Sequence, residues 1–205
     1  VSFPIPLASK MSGASIHQLA YWRNTGVLVP EIESAKPPFL YSFRDIVALR
    51  TLAWLRGDHP LQLIRRSLDT LRELDMVEHP SSYKLIKLGK SIGVHLEGEH
   101  AVDIAKQPGQ STVGTLADVF AEFETIRQRK VDPLLRPREG VEVNPSRLGG
   151  WPTITGTRIP YDLVAALVGD GSVLPEDVGD FYPGVSAQAA RDALDFDQSV
   201  KGSVA

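Results

Sequence analysis

The sequence predicts an α+β protein that is mostly helical, and three observations carry that reading. Apolar side chains recur at helical spacing over residues 16–22, 46–55 and 61–74, and again after Pro160, Pro175 and Ser186. Over residues 83–105 the period shortens to about two, with Gly-Lys and Gly-Glu pairs at the bends, as in a small antiparallel β-meander. Proline-bearing breaks at His79-Pro80 and in residues 131–145 divide the chain into parts 1–79, 80–135 and 136–205.

Composition bounds what such a chain does. Its 205 residues are 42% hydrophobic and 23% charged, the balance of a water-soluble globular protein with a real core. No run approaches the ~18 apolar residues of a membrane span, and VSFPIPLASK lacks a secretory pattern, so a cytoplasmic location is expected. The absence of cysteine excludes disulfides, thiolate metal sites and cysteine nucleophiles. Charge is uneven along the chain. Residues 1–74 carry nine Lys/Arg against six Asp/Glu, whereas residues 141–205 carry four against nine. A basic front suits a phosphate backbone; an acidic back is repelled by one.

In the front, Ser15 is predicted to cap a short helix, and Gln18 three residues on completes a capping box. Ile16, Leu19 and Trp22 share one face, leaving His17, Gln18, Tyr21 and Asn24 on the other. Gly26 and Pro30 stop it. A helix of about three turns with small polar and aromatic groups outward fits a DNA major groove. A brief helix over residues 4–11 precedes it, separated by a Ser12-Gly13 turn. Residues 27–38 form a charged, proline-bearing loop with Lys36 near its tip, ending in the short strand Phe39-Leu40-Tyr41. Ser42 with Asp45 repeats the capping box and opens a helix that Gly57 ends; Pro60 opens another through Leu61, Ile64, Leu68 and Leu71.

The stretches SGASIHQLAYWRNTGVLVP, LYSFRDIVALRTLAWLR and PLQLIRRSLDTL, in that order, resemble the DNA-binding domain of MerR-like regulators over roughly residues 5–74. The resemblance implies a winged helix–turn–helix in which Tyr21 and Trp22 match the paired aromatics of the recognition helix. Tyr41-Ser42 with Asp45 match the exit from the wing. Ala20 stands where the family commonly has arginine, and Pro38-Phe39-Leu40 where its wing usually reads Gly-Tyr-Arg. The DNA-contacting set expected here is therefore His17, Gln18, Tyr21, Arg23, Lys36, Tyr41 and Arg44.

The middle part is predicted to hold strands at 83–88, 92–96 and 100–105, then one helix over 115–129 on Leu116, Val119, Phe120, Phe123 and Ile126. MerR-like proteins dimerise through a helix after the DNA-binding domain. This helix is either the homodimer element or packs on the sheet of its own chain. Residues 131–145 read as a linker.

The back part predicts a short hairpin at WPTIT and Gly156, then a three-helix module opened by Pro160, Pro175 and Ser186. GGWPTITGTRIPYDLV and LPEDVGDFYPGVSAQAARDAL are similar to a bacterial family known only as domain of unknown function four-three-three, across residues 144–197. That family occurs among antitoxins. Its fusion to a MerR-like front resembles a VapB-type antitoxin of a toxin-antitoxin system, which implies a PIN-domain ribonuclease toxin as partner. Trp151, Ile154, Arg158 and Tyr161 are the expected toxin-binding residues, Arg158 either reaching the toxin or pairing with Asp162.

Catalytic readings fail on the residues. Gly89-Lys90-Ser91 lacks the first glycine of a P-loop, since position 84 is Lys84. His95, Glu97, Glu99 and His100 gather at a predicted turn and read as a solvated hairpin rather than a metal site. His59 and His79 flank helix ends and read as capping or solvent-facing, and Asp192, Asp195 and Asp197 as surface charge. The expectation is a DNA-binding antitoxin without catalytic residues, metal or cofactor, binding operator DNA and its toxin. The alternative is a stand-alone MerR-like transcription regulator sensing a small ligand.

Overall fold

The computed structural model describes residues 1–73, 79–82, 84–88, 90–95, 102–104 and 116–203. Strand β1 (Phe3–Pro4) pairs antiparallel with β2 (Leu40–Tyr41), Phe3 opposite Tyr41, so the chain start is stitched to the exit of the charged loop. Four helices follow the predicted pattern: α1 (Ile5–Ser12), α2 (Ile16–Asn24), α3 (Phe43–Leu55) and α4 (Leu61–Glu73). Both capping boxes form. Ser15 Oγ accepts from Gln18 N–H and Gln18 Oε1 from Ser15 N–H, and Ser42 and Asp45 repeat the exchange. Leu7, Leu19, Trp22, Ile46, Leu49 and Ile64 close one core between these helices, each stabilising the fold by about 1.5–3 kcal/mol.

The meander is β3 (Lys84–Leu88), β4 (Ser91–His95) and β5 (Val102–Asp103), antiparallel in that order, with Leu85 opposite Val94. It packs through β4 on α4. Lys90 lies in the turn into β4 and Ser91 in the strand itself, a bend unlike a P-loop. Of the residues expected at the strand ends and the solvated hairpin, Tyr83, Leu96, Glu97, Glu99, His100 and Ala105 lie outside the described residues.

Two expectations for the middle are corrected. The predicted helix over 115–129 is only α5 (Leu116–Phe120); the chain then turns into a hairpin of β6 (Phe123–Glu124) and β7 (Lys130–Val131). Arg50 is the reason. Its guanidinium, fully buried on α3, donates from Nε to Val119 O at 2.5 Å and from Nη1 to Met11 O at 2.6 Å. Nη2 donates to Ala121 O and Asp132 O, both at 2.7 Å. Carbonyls that a longer helix would use internally are bound instead to a tertiary donor. Within the chain α5 packs on α3 and on β3 of the small sheet, the second of the two places expected for it. Residues 131–145 are no free linker. Val131, Leu134, Val141 and Val143 are buried, and β8 (Val141–Glu142) pairs with β9 (Thr153–Ile154).

The back forms α6 (Tyr161–Gly169), α7 (Val178–Phe181) and α8 (Ala187–Gly202), with Ser186 Oγ capping α8 through Ala189 N–H. Of the acidic residues read as surface charge, Asp195 is exposed and pairs with Arg138 at 2.6 Å, while half-buried Asp192 accepts from Gly140 N–H at 2.7 Å. One hydrophobic cluster runs from Phe3 to Val200 through all three expected parts. Phe3 lies 5.6 Å from the Trp151 ring, α1 packs on α8, and Gly150 at φ 83° lets the chain pass the Phe43 ring. A Cβ at Gly150 would stand 2.4 Å from that ring.

His59, read as capping or solvent-facing, is only 3% exposed in the α3–α4 turn, its Nε2 buried without a hydrogen-bond partner. Burial holds its pKa below the ordinary 6.5, Asp58 opposing and Lys87 reinforcing the effect. Below pH 6.5 the unfolded chain takes up a proton that the folded site refuses, so stability is complete above that pH and falls as pH drops. The urea midpoint should drop between about pH 7.5 and about pH 5.5, and His59→Gln should flatten that dependence, at most about 1.4 kcal/mol per pH unit. An unchanged slope in the variant would assign the acid sensitivity elsewhere.

Candidate nucleic-acid interface

Helix α2 buries Leu19 and Trp22 and turns His17, Tyr21 and Asn24 to solvent. Thr25 caps its end, donating its hydroxyl to Tyr21 O at 2.7 Å, and Trp22 O accepts Val27 N–H at 2.9 Å, which starts the loop in a fixed direction. Gln18 is half-buried and its Oε1 is spent on the cap, so only its amide NH2 remains for a base edge.

The loop between α2 and β2 is a wing held at several points. Glu33 and Leu40 bridge through paired backbone hydrogen bonds of 3.1 Å, and Glu33 Oε1 accepts Ala35 N–H and Lys36 N–H at the tip. Lys36 is exposed there. Arg23 of α2 stacks its guanidinium 3.5 Å over the Phe39 ring, pinning the wing to the helix end. Phe39, standing in the usual wing tripeptide, thus supplies a platform for Arg23.

At the base of the wing, Asp45 Oδ2 accepts Glu31 N–H at 3.0 Å and Ser42 N–H at 2.8 Å, while Oδ1 meets His79 Nε2 at 3.0 Å. Glu31 in turn accepts from the Ser42 hydroxyl at 2.6 Å and faces exposed Arg44 at 3.6 Å. Glu31, Asp45 and His79 bring ligand atoms within 4.8 Å of one another, a grouping that metal-site spacing in the sequence does not reveal. Their lone pairs and protons already bind the wing base, the start of α3 and the turn after α4, so the cluster works as a joint. Of the two readings for His79 the structure has the capping one: its Nδ1 accepts Ser81 N–H at 3.2 Å at the start of the Pro80–Ser82 turn.

Tyr41 is a correction. It is fully buried, and burial raises its pKa against the opposing charge of nearby Arg23, so it cannot touch DNA. It supports Phe3 across the β1–β2 pair. Arg65 on α4 was missed: its guanidinium lies 5.2 Å over the Tyr21 ring, behind the exposed face of α2. Only its i+4 place after Leu61 on an amphipathic helix hinted at that position.

The residues expected to meet a toxin are mostly interior. Ile154 is 2% and Tyr161 3% exposed; Tyr161 packs edge-on against Phe196 at 4.9 Å, and burial raises its pKa. Trp151 is half-buried between Phe3 and Tyr161, and its Nε1 donates to Asp162 Oδ1 at 3.0 Å. Each lost its predicted exposure to a tertiary partner. Arg158 is exposed, and among the described residues no carboxylate pairs with it, Asp162 included. The large apolar side chains open to solvent in the back are instead Leu163, Leu174 and Phe181.

Two family models match the chain. Residues 3–71 match the MerR HTH family regulatory proteins, and residues 141–196 the family described as protein of unknown function (DUF433). The chain thus carries a MerR-family helix–turn–helix domain at its front and a DUF433 domain at its back. An uncharacterized HTH-type transcriptional regulator of Mycobacterium tuberculosis, and one of the same description in Mycobacterium bovis, are each 29% identical over 151 residues, covering 68% of this chain and 66% of the relative. The crystal structure of Rv2018 from Mycobacterium tuberculosis has the same fold, with a TM-score of 0.56 at 18% identity over 94% of this chain and 96% of that one. No helix among the described residues is long and apolar enough to cross a membrane.

Proposed function

We propose that this chain is a DNA-binding transcription regulator, not an enzyme, that reads an operator with α2 and grips its backbone with the wing. The observation that carries the reading is the capped α2 itself, which exposes His17, Tyr21 and Asn24 beside a wing locked to it by Arg23 on Phe39. His17 and Asn24 offer hydrogen bonds to base edges; Lys36 and Arg44 offer charge to phosphates. The relatives' description as HTH-type regulators supports the same class. Such a protein works in the cytoplasm, as a homodimer on a palindrome with half-sites about one or two turns apart.

The finer reading is an antitoxin whose acidic back covers a PIN-domain ribonuclease, a basic RNA-holding surface being the natural complement of that charge. The exposed Leu163, Leu174 and Phe181 supply apolar anchors within it. The stand-alone regulator remains the other reading, in which a small ligand takes the toxin's place. Co-expression with the product of the adjoining reading frame separates them, since only an antitoxin relieves a growth defect caused by that product.

For DNA, His17→Ala should relax sequence preference, whereas Lys36→Ala should weaken all duplexes alike and lower the salt slope by about one per protomer. Fluorescence anisotropy across a salt series measures both. A full-length chain with no affinity for any duplex at low salt would remove the DNA-binding reading.

A further inference from the structure

The β6–β7 hairpin lies outside both matched segments and carries the run Thr125, Ile126, Arg127, Gln128, Arg129, Lys130 at its tip. The tip is ordered by its own hydrogen bonds. Thr125 N–H donates to Arg129 O at 3.0 Å, Gln128 N–H to Thr125 O at 2.8 Å, and Arg129 N–H to Thr125 Oγ1 at 3.2 Å. Residues 126–130 are all exposed. Lys130 pairs with Glu122 at 2.8 Å; Arg127 has no acidic partner among the described residues.

The hairpin is fixed against the helix–turn–helix. Gly13, in the turn two residues before the cap of α2, has φ 80° and no room for a side chain. A Cβ there would stand 2.6 Å from Val131 Cγ2 and 3.3 Å from the Phe123 ring. Arg129 donates its guanidinium to Gly13 O. Behind the hairpin, Arg50 binds the carbonyls of Val119, Ala121 and Asp132 and ties its base to α1 and α3. Lys10, Arg129 and Lys130 line a polar recess beside Gly13, closed by Ser199 and Ser203 of the α8 end. The wing meets α2 at its C-terminal end through Arg23, and this hairpin meets it at its N-terminal end. Nine helical residues span about 13 Å, close to the roughly 12 Å width of a major groove. Exposed Lys36 on the wing and exposed Arg127 on the hairpin therefore stand on loops attached to opposite ends of the reading helix.

We propose that the 125–130 tip is a second wing, in which Arg127 binds a backbone phosphate flanking the groove segment read by α2, while Arg129 anchors the tip to Gly13 and Glu122 neutralises Lys130. The inference rests on the DNA-binding reading above. The test uses the full chain and a fluorescein-labelled duplex in anisotropy titrations across a salt series. Arg127→Ala should weaken binding several-fold at low salt, equally on unrelated sequences, and reduce the salt slope by about one per protomer. Arg127→Glu should weaken it further, and Arg127→Lys should restore most of the affinity. Arg127 is exposed and has no acidic partner among the described residues, so thermal melting should be unchanged in all three. Wild-type affinity and slope in Arg127→Ala, with His17→Ala still relaxing sequence preference, would overturn the second wing and leave the DNA-binding reading standing. A wild-type chain that binds no duplex at low salt would remove both.

Discussion

Replacing Arg50 by methionine should cost about 3 kcal/mol of stability. The side chain lies at 0% exposure and donates to four backbone carbonyls in three separate segments. Burial lowers its pKa to about 10 against the opposing charge of Asp132, so it stays a cation at neutral pH, its hydrogen bonds made to carbonyls. Methionine removes the unfavourable burial of that charge. It also leaves up to four acceptors buried without donors, each costing about 1–3 kcal/mol, and the second effect wins. Lysine keeps the charge but concentrates its donors at one nitrogen, so Arg50→Lys should recover less than half the loss. Urea unfolding with an unchanged m-value reads the difference directly. A loss under about 1 kcal/mol would mean that water or rearranged backbone satisfies those carbonyls at little cost.

What the sequence discloses about this fold divides by the range of the interaction. The boxes at Ser15/Gln18 and Ser42/Asp45 and the Ser186 cap are local exchanges within four residues, and all three form as read. The exposed face of α2 and the wing tip at Lys36 follow from the same local pattern. Arg50 sits among apolar neighbours on α3 with nothing nearby in sequence to show that it reaches residue 132. For that reason, the helical spacing of Leu116, Val119, Phe120 and Phe123 misled: a donor from α3 redirects the chain after Phe120. Residues 131–145 have no periodicity because each short segment packs on a different neighbour, which looks like a linker in one dimension. The likeness to the wing exit puts Tyr41 at a surface, and the rule that apolar and aromatic side chains anchor interfaces does the same for Trp151, Ile154 and Tyr161. In this chain all four face inward: Tyr41 lies opposite Phe3 within the front, Ile154 and Tyr161 pack within the back, and Trp151 meets Phe3 between the two.

That internal interface sets the other large effect: truncation after Glu139 should unfold the DNA-binding front rather than free it. The sequence suggests a back that folds alone, but the removed residues cover the front's own core. Phe3 loses the Trp151 ring, Phe43 loses the chain at Gly150, α1 loses α8, and Arg138 loses Asp195. Uncovering several large apolar side chains at about 1.5–3 kcal/mol each approaches the 5–15 kcal/mol by which a domain is stable at all. The truncated chain should therefore melt without a cooperative transition, aggregate, and lose affinity for DNA. Trp151→Ala, a smaller version of the same injury, should cost about 3 kcal/mol and shift DNA affinity only through the folded fraction. Partner binding at the back has to be tested on its surface instead. Leu163→Asp and Phe181→Asp change exposed side chains and should leave melting and DNA affinity intact while abolishing neutralisation of a co-expressed toxin. A truncated chain that melts cooperatively and still binds DNA at full-length affinity would show that the front needs none of these contacts, and would return the two ends to the status of independent units.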